Sequence, residues 1–126
     1  MPALNRVQLI GYLGKDPESR LTPTGKQVTH FSLGVTQHWK SEGETKEATD
    51  WVYIEAWNRL GEICSKYLHK GSLAYVEGRL KVDRFEDKGE IRYSTKVVAM
   101  QLQMLDRKGS EEPIMGVEEE TEEYDV

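Results

Sequence analysis

The side chains of this 126-residue chain best suited to meeting a ligand are aromatic and basic, and they cluster. The densest group is Asp50–Leu60, which reads Asp-Trp-Val-Tyr-Ile-Glu-Ala-Trp-Asn-Arg-Leu and alternates at period two, as a strand does. Trp51, Tyr53, Glu55 and Trp57 share one face, and Val52, Ile54 and Ala56 share the other. The aliphatic side already makes a core face, so the aromatic side is expected to be at least partly exposed. Flat rings beside Arg59 suit the stacking of nucleic-acid bases. From the strand alone they suit equally a patch covered by a loop or a neighbouring subunit. A second aromatic and basic group, Arg84-Phe85 facing Arg92-Tyr93, sits near a hairpin tip, and Trp39 stands in an otherwise polar stretch, as a ligand contact or as a packed anchor.

Chemistry of other kinds finds no residues to perform it. His30, His38 and His69 lack metal-ligand spacing with one another or with Cys64, so no metal site is expected. There is no glycine-rich phosphate loop ahead of a helix and no nucleophile elbow. The carboxylates read as solvated charges, and neither an enzyme activity nor a cofactor is expected.

The elements that must position the rings follow from periodicity. Residues 4–14 form a first strand with Val7 and Leu9 on one face, and Gly11 and Gly14 suggest a bulge or sharp bend. Lys15-Asp16-Pro17 ends its pairing, and Leu21–Gly25 is a turn. Gln27–Gln37 alternates again, with Thr29, Phe31, Leu33 and Val35 on one side, and is expected to pair antiparallel with the first strand. Trp39–Thr49 reads as a long polar connection. Between Arg59 and His69 the period becomes helical, with Leu60, Ile63, Cys64, Tyr67 and Leu68 on one stripe, Asn58 as N-cap and Gly71 as stop. Cys64 is then a small core residue. Leu73–Val82 and Ile91–Leu105 are the last two strands, joined by a tip at Lys88-Gly89.

Three strands, a helix and two strands is the plan of an all-β OB-fold, a five-stranded Greek-key barrel with one α-helix between strands 3 and 4. An open antiparallel sheet with one covering helix is the alternative, and closure is favoured because it removes exposed edges. This domain is assigned to residues 1–107. Residues 108–126 form a short acidic tail with too little apolar content to fold alone, so it is expected to be disordered. Charge divides the same way: the first part carries 16 Lys/Arg and 14 Asp/Glu, and the tail 1 and 8. A net charge of −5 therefore does not exclude a basic groove on a body of +2. No apolar run approaches the ~20 residues that span a bilayer. A single cysteine and an opening without a leader-like pattern point to the cytoplasm.

Several segments carry a resemblance. Asn5-Arg6-Val7, Leu9-Ile10-Gly11 and Leu13–Pro17 are followed by Thr49-Asp50-Trp51, Ala56–Leu60, Tyr67–Ser72, Tyr75–Leu80 and Arg92–Thr95. In this order and spacing, over about residues 4–105, the chain resembles the bacterial single-stranded DNA-binding protein family. The resemblance implies a homotetramer that wraps single-stranded DNA without sequence preference during replication, recombination and repair, in the cytoplasm and associated with the nucleoid. It places stacking aromatics at Trp39, Trp51, Trp57 and Phe85, and phosphate contacts at Arg6, Lys15, Lys40, Arg59, Lys70, Lys81 and Arg84. Tyr53 and Glu55, between the two strand tryptophans, are expected to face a neighbouring strand or subunit instead. Members of the family carry a long linker and an acidic tip that docks on replication and repair enzymes. Here the linker is short, and Tyr124, Asp125 and Val126 stand in the tip. Asp83 is a second departure, a carboxylate expected to weaken the phosphate field near Phe85. Other readings are an OB-fold primosome or recombination accessory that mainly scaffolds proteins, an RNA-binding OB module, and a small OB-fold nuclease.

A segment of charge −7 can compete with DNA for a basic groove, over a Debye length of ~10 Å at 0.1 M salt. Deleting residues 111–126 is expected to tighten oligonucleotide binding at low salt, with the gain vanishing at high salt. A salt series of titrations on the two chains measures it.

Overall fold

Apolar alternation in five segments produces five strands that wrap around one core. A computed structural model describes residues 2–106. The elements are β1 (Val7–Leu13), β2 (Glu18–Leu21), β3 (Gln27–Ser41), β4 (Glu44–Trp57), α1 (Asn58–Tyr67), β5 (Leu73–Asp87) and β6 (Glu90–Met104). The sheet order is β1-β5-β6-β4-β3, with β2 added at the edge of β3, and a direct β1–β3 pairing closes the barrel. The predicted pairing of β1 with β3 is present but brief, Tyr12 with Gly34 and Leu13 with Leu33. The main partner of β1 is β5, paired from Val7–Gly78 to Tyr12–Leu73.

The faces read from periodicity in β1, β3, β4 and α1 pack as expected, whereas Leu80 and Val82, whose alternation with Ala74 and Val76 points them inward, lie on the arm beyond the barrel and are exposed. Leu13, Phe31, Leu33, Ile54, Ala56, Ala74 and Val76 are buried in one cluster, with Val7, Leu9, Val35 and Val52 packed against it. The helix adds Leu60 and Cys64, with Ile63 and Tyr67 at the margin. Burial pushes the Cys64 thiol up to about 12, which suits an inert core residue. The predicted helix is present with altered ends. Asn58 makes no cap: it lies at the junction with φ 54°, and Trp57 occupies the N-cap position without a side-chain hydrogen bond. Strand runs directly into helix there, and the left-handed turn this needs is one that asparagine tolerates. The helix ends at Tyr67, ahead of Gly71.

Two differences concern the strands. Glu18–Leu21 pairs with β3 as an extra edge strand, and both of its faces are exposed, so it carries no apolar alternation to read. The expected polar connection over Trp39–Thr49 is a continuation of β3 and β4, paired as far as Ser41–Glu44. Its turn is Glu42-Gly43, with φ of 53° and 80°. The β5–β6 hairpin closes the same way at Lys88-Gly89, with φ of 52° and 81°. Positive φ at both central residues matches the twist of the flanking strands, and glycine supplies the second at no steric penalty. Beyond the barrel the arms have no core beneath them, which is why their sequence looks like a loop.

A bulge adjusts the last strand. Glu77 opposes Gln101 and Gly78 opposes Ala99, leaving Met100 as an extra residue. The inward face of β6 thus switches from Val97 and Ala99 to Leu102 and Met104, and Met100 is exposed.

Closure requires β1 and β3 to approach closely. A Cβ on Gly11 would lie 2.3 Å from the Gly34 carbonyl oxygen, inside any permitted contact. Gly11→Ala is therefore expected to destabilise the domain by roughly 1–3 kcal/mol through overpacking. The exposed Lys26→Ala is expected to stay within about 0.5 kcal/mol, and urea denaturation of both variants measures the difference.

Candidate nucleic-acid interface

Trp51 is set by the strands beneath it. It pairs across the ladder with Gly34, so its indole can lie down over β3 instead of standing against a side chain. A Cβ on Gly34 or on Gly14 would each come within 2.8 Å of the six-membered ring. The two glycines form a seat, and the residue remains 60% exposed. A cross-strand aromatic covering a glycine is a recognised stabilising pair. Beside it lies a groove of about 400 Å³, lined by Gly14, Lys15, Asp16, Glu18, His30, Phe31, Ser32, Trp51 and Tyr53. Tyr53 stacks on His30 with centroids 5.4 Å apart and planes at 18°, the neighbouring-strand contact expected for it. Burial raises the Tyr53 phenol above its ordinary value, helped by Glu55. Nothing in the local sequence marks His30 as part of this face; its position opposite Glu55 in the β3–β4 ladder is the signal that finds it.

The second strand tryptophan is held differently. The Trp57 indole N–H donates to Glu55 Oε1 at 2.7 Å, and Glu55 Oε2 lies 2.9 Å from Lys96 Nζ on β6. Lys96 also reaches Asp83 Oδ2 on β5 at 3.2 Å. Glu55 is only 5% exposed, so the reading of every carboxylate as a solvated charge fails here. Alternation gives its face correctly but not the cover supplied by Trp57 and Lys96. Hydrogen bonding to Glu55, then to Asp83, holds the Lys96 ammonium above its usual value against the opposing effect of burial. Asp83 stands 4.0 Å from Lys81 as well, so its charge is largely answered by two lysines.

The remaining residues divide into groups. Trp39 and Phe85 are each 46% exposed, on the arms of the two hairpins. Register places Trp39, opposite Lys46, on the hairpin face other than that of Trp51. Lys15 lines the groove, and Lys70 is beside it, since its backbone N–H donates to Asp16 Oδ1 at 2.8 Å. Lys40 is on the β3 arm, Arg84 is on the β5 arm, and Arg59 follows Trp57 at the start of α1. Arg6 lies apart on the outer face of β1 and β5, in an ion pair with Glu77. That carboxyl is held below its ordinary value, first by the Tyr75 hydroxyl that donates to it and then by Arg6. The structure thus gathers Trp51 with Lys15 and Lys70, and Trp57 with Lys81, while Arg6 belongs to a separate polar network. Tyr124, Asp125 and Val126 lie outside the described residues. No described group of His, Cys, Asp and Glu could hold a metal ion, and no described helix is long and apolar enough to cross a membrane.

A closed five-stranded barrel with a helix between β4 and β5, exposed rings on its outer face and cations on its loops, hairpin arms and helix start is an OB-fold suited to unpaired bases. The chain belongs to the single-strand binding protein family, which it matches over residues 4–105. It is 44% identical over 110 residues to single-stranded DNA-binding protein 1 of Chlorobaculum tepidum, covering 85% of this chain and 68% of that one. It is 42% identical over 108 residues to the single-stranded DNA-binding protein of Xanthomonas campestris pv. campestris, covering 84% of this chain and 63% of that one. It thus spans about two thirds of the length of these relatives. Among solved structures, the Plasmodium falciparum SSB complex with ssDNA superposes with a TM-score of 0.76 at 28% identity, covering 84% of this chain and 98% of that one.

A raised folded-state pKa at Lys96 makes a stabilising contribution that is complete below the ordinary value of 10.5 and is lost as pH climbs through the raised value. Alkaline titration of stability is expected to fall less steeply through this window in Lys96→Met than in the parent chain, as read by urea midpoints at successive pH values.

Proposed function

We propose that this chain binds single-stranded DNA without sequence preference, by stacking bases on exposed rings and neutralising phosphates with flanking cations. The observation that carries the reading is Trp51, whose indole rests against Gly14 and Gly34 while the residue stays 60% exposed. Such a platform accepts any base, because every base has a π-face, and stacking is worth roughly 1–3 kcal/mol per base. Duplex DNA offers no such face, its bases being stacked on one another. Trp39, Trp57 and Phe85 supply the further rings. Lys15, Lys40, Arg59, Lys70 and Arg84 are the phosphate contacts favoured by position. Arg6 and Lys81 are further candidates, each also engaged by a carboxylate, Glu77 and Asp83. Each neutralised phosphate contributes about −0.7 to the salt slope on single strands. With a body of only +2, stacking takes the larger share.

The role is binding and protection during replication, recombination and repair, with no catalytic step, in the cytoplasm on nucleoid DNA. The chain acts as a homotetramer, and the acidic tail around Tyr124, Asp125 and Val126 is the segment offered to replication and repair enzymes. The family and the two bacterial relatives named for single-stranded DNA support this reading.

In fluorescence titrations with oligo(dT), Trp51→Ala is expected to weaken binding by roughly tenfold or more, in line with one lost stack. Lys40→Ala is expected to cost less and to flatten the salt slope. The reverse ranking refutes the stacking-dominated mechanism. Sedimentation with and without oligo(dT) reads the stoichiometry on the same samples, and a monomer in both states refutes the tetramer.

A further inference from the structure

We propose that Glu55 is a positioning residue for the DNA-binding face: its buried carboxylate, clamped by Lys96, fixes the plane of the Trp57 indole that meets a base. The proposal rests on the reading of Trp57 as a stacking residue. Glu55 and Trp57 are two residues apart on one face of β4, so the carboxylate lies beside the ring by strand geometry alone. Each of its oxygens has its own donor, the indole N–H at 2.7 Å and the Lys96 ammonium at 2.9 Å. A carboxylate taken out of water is expensive unless paired and hydrogen-bonded, and both conditions are met here. The Lys96 side chain, only 19% exposed, is held in turn by Asp83 at 3.2 Å. One chain of contacts therefore runs from Trp57 and Glu55 on β4 through Lys96 on β6 to Asp83 on β5. An indole without that acceptor could turn about its two side-chain torsions, and a base would have to order it on binding. Lys96, though a cation on the outer face, is committed to two carboxylates and serves ring geometry instead of a phosphate.

The test is a double-mutant cycle read by oligo(dT) affinity across a salt series. Glu55→Leu removes the acceptor and is expected to weaken binding about five- to thirtyfold, whereas Glu55→Gln, which keeps an acceptor oxygen, stays within about threefold. In the Trp57→Phe background, which has no N–H to hold, the Glu55→Leu effect is expected to shrink to within about twofold. Lys96→Gln is expected to lower affinity with the salt slope unchanged; a slope reduced by about 0.7 assigns Lys96 to a phosphate and overturns the clamp. An equal Glu55→Leu loss in both backgrounds also overturns the proposal and leaves stacking by Trp57 standing. Trp57→Ala with unaltered affinity removes that stacking role itself, and the positioning role with it. If Glu55→Leu fails to fold, the Lys96→Gln salt slope still decides.

Discussion

The contact on which the rest depends is the approach of β1 to β3 at Gly11 and Gly34. Five twisted strands enclose a core only if the first can reach back to the third, and the pairing that achieves this is two residues long. A side chain on Gly11 would occupy the position of the Gly34 carbonyl, so closure is a matter of backbone against backbone. With the seam closed, each barrel strand is paired on both sides, and the exposed edge is displaced to the short β2.

That seam also builds the ring-bearing face. Gly34 touches β1 on one side and carries the Trp51 ring on the other, and Gly14 just beyond β1 completes the seat. Fold and site thus share atoms. On the neighbouring part of the surface the solution is electrostatic: Glu55, Lys96 and Asp83 join three strands around Trp57. One tryptophan lies on bare backbone, and the other is held by its polar edge. Both arrangements limit the freedom of a large side chain that is at least partly open to solvent, which would reduce the entropy lost on stacking a flat ligand against it.

Much of this is legible in the sequence where burial differs between two faces. The core face of β4, the helical stripe around Leu60 and Cys64, and the inward residues of β1 and β3 all follow from period alone. What escapes is whatever has the same environment on both sides. β2 and the outer arms of β3 and β4 are wet on both faces, so their pattern is that of a loop although their ladders are complete. In β6 a bulge at Met100 resets alternation without a local sign in composition. Glu55 is misjudged for a different reason. Strand period reports which way a side chain points, whereas its cover comes from Lys96, forty-one residues away.

The two long hairpins have a consequence for motion. Their arms run past the barrel to two-residue turns, supported by ladder hydrogen bonds and cross-strand pairs such as Thr36 with Thr49 and His38 with Glu47. With no core beneath them, their amides are expected to open at smaller free energy than those of the barrel, so that hydrogen exchange would slow from tip to centre. The rings are distributed along that expected gradient: Trp51 sits over the barrel seam, whereas Trp39 and Phe85 lie on the arms. On the reading proposed above, a ligand strand of irregular course would meet one contact on the barrel and two on the arms.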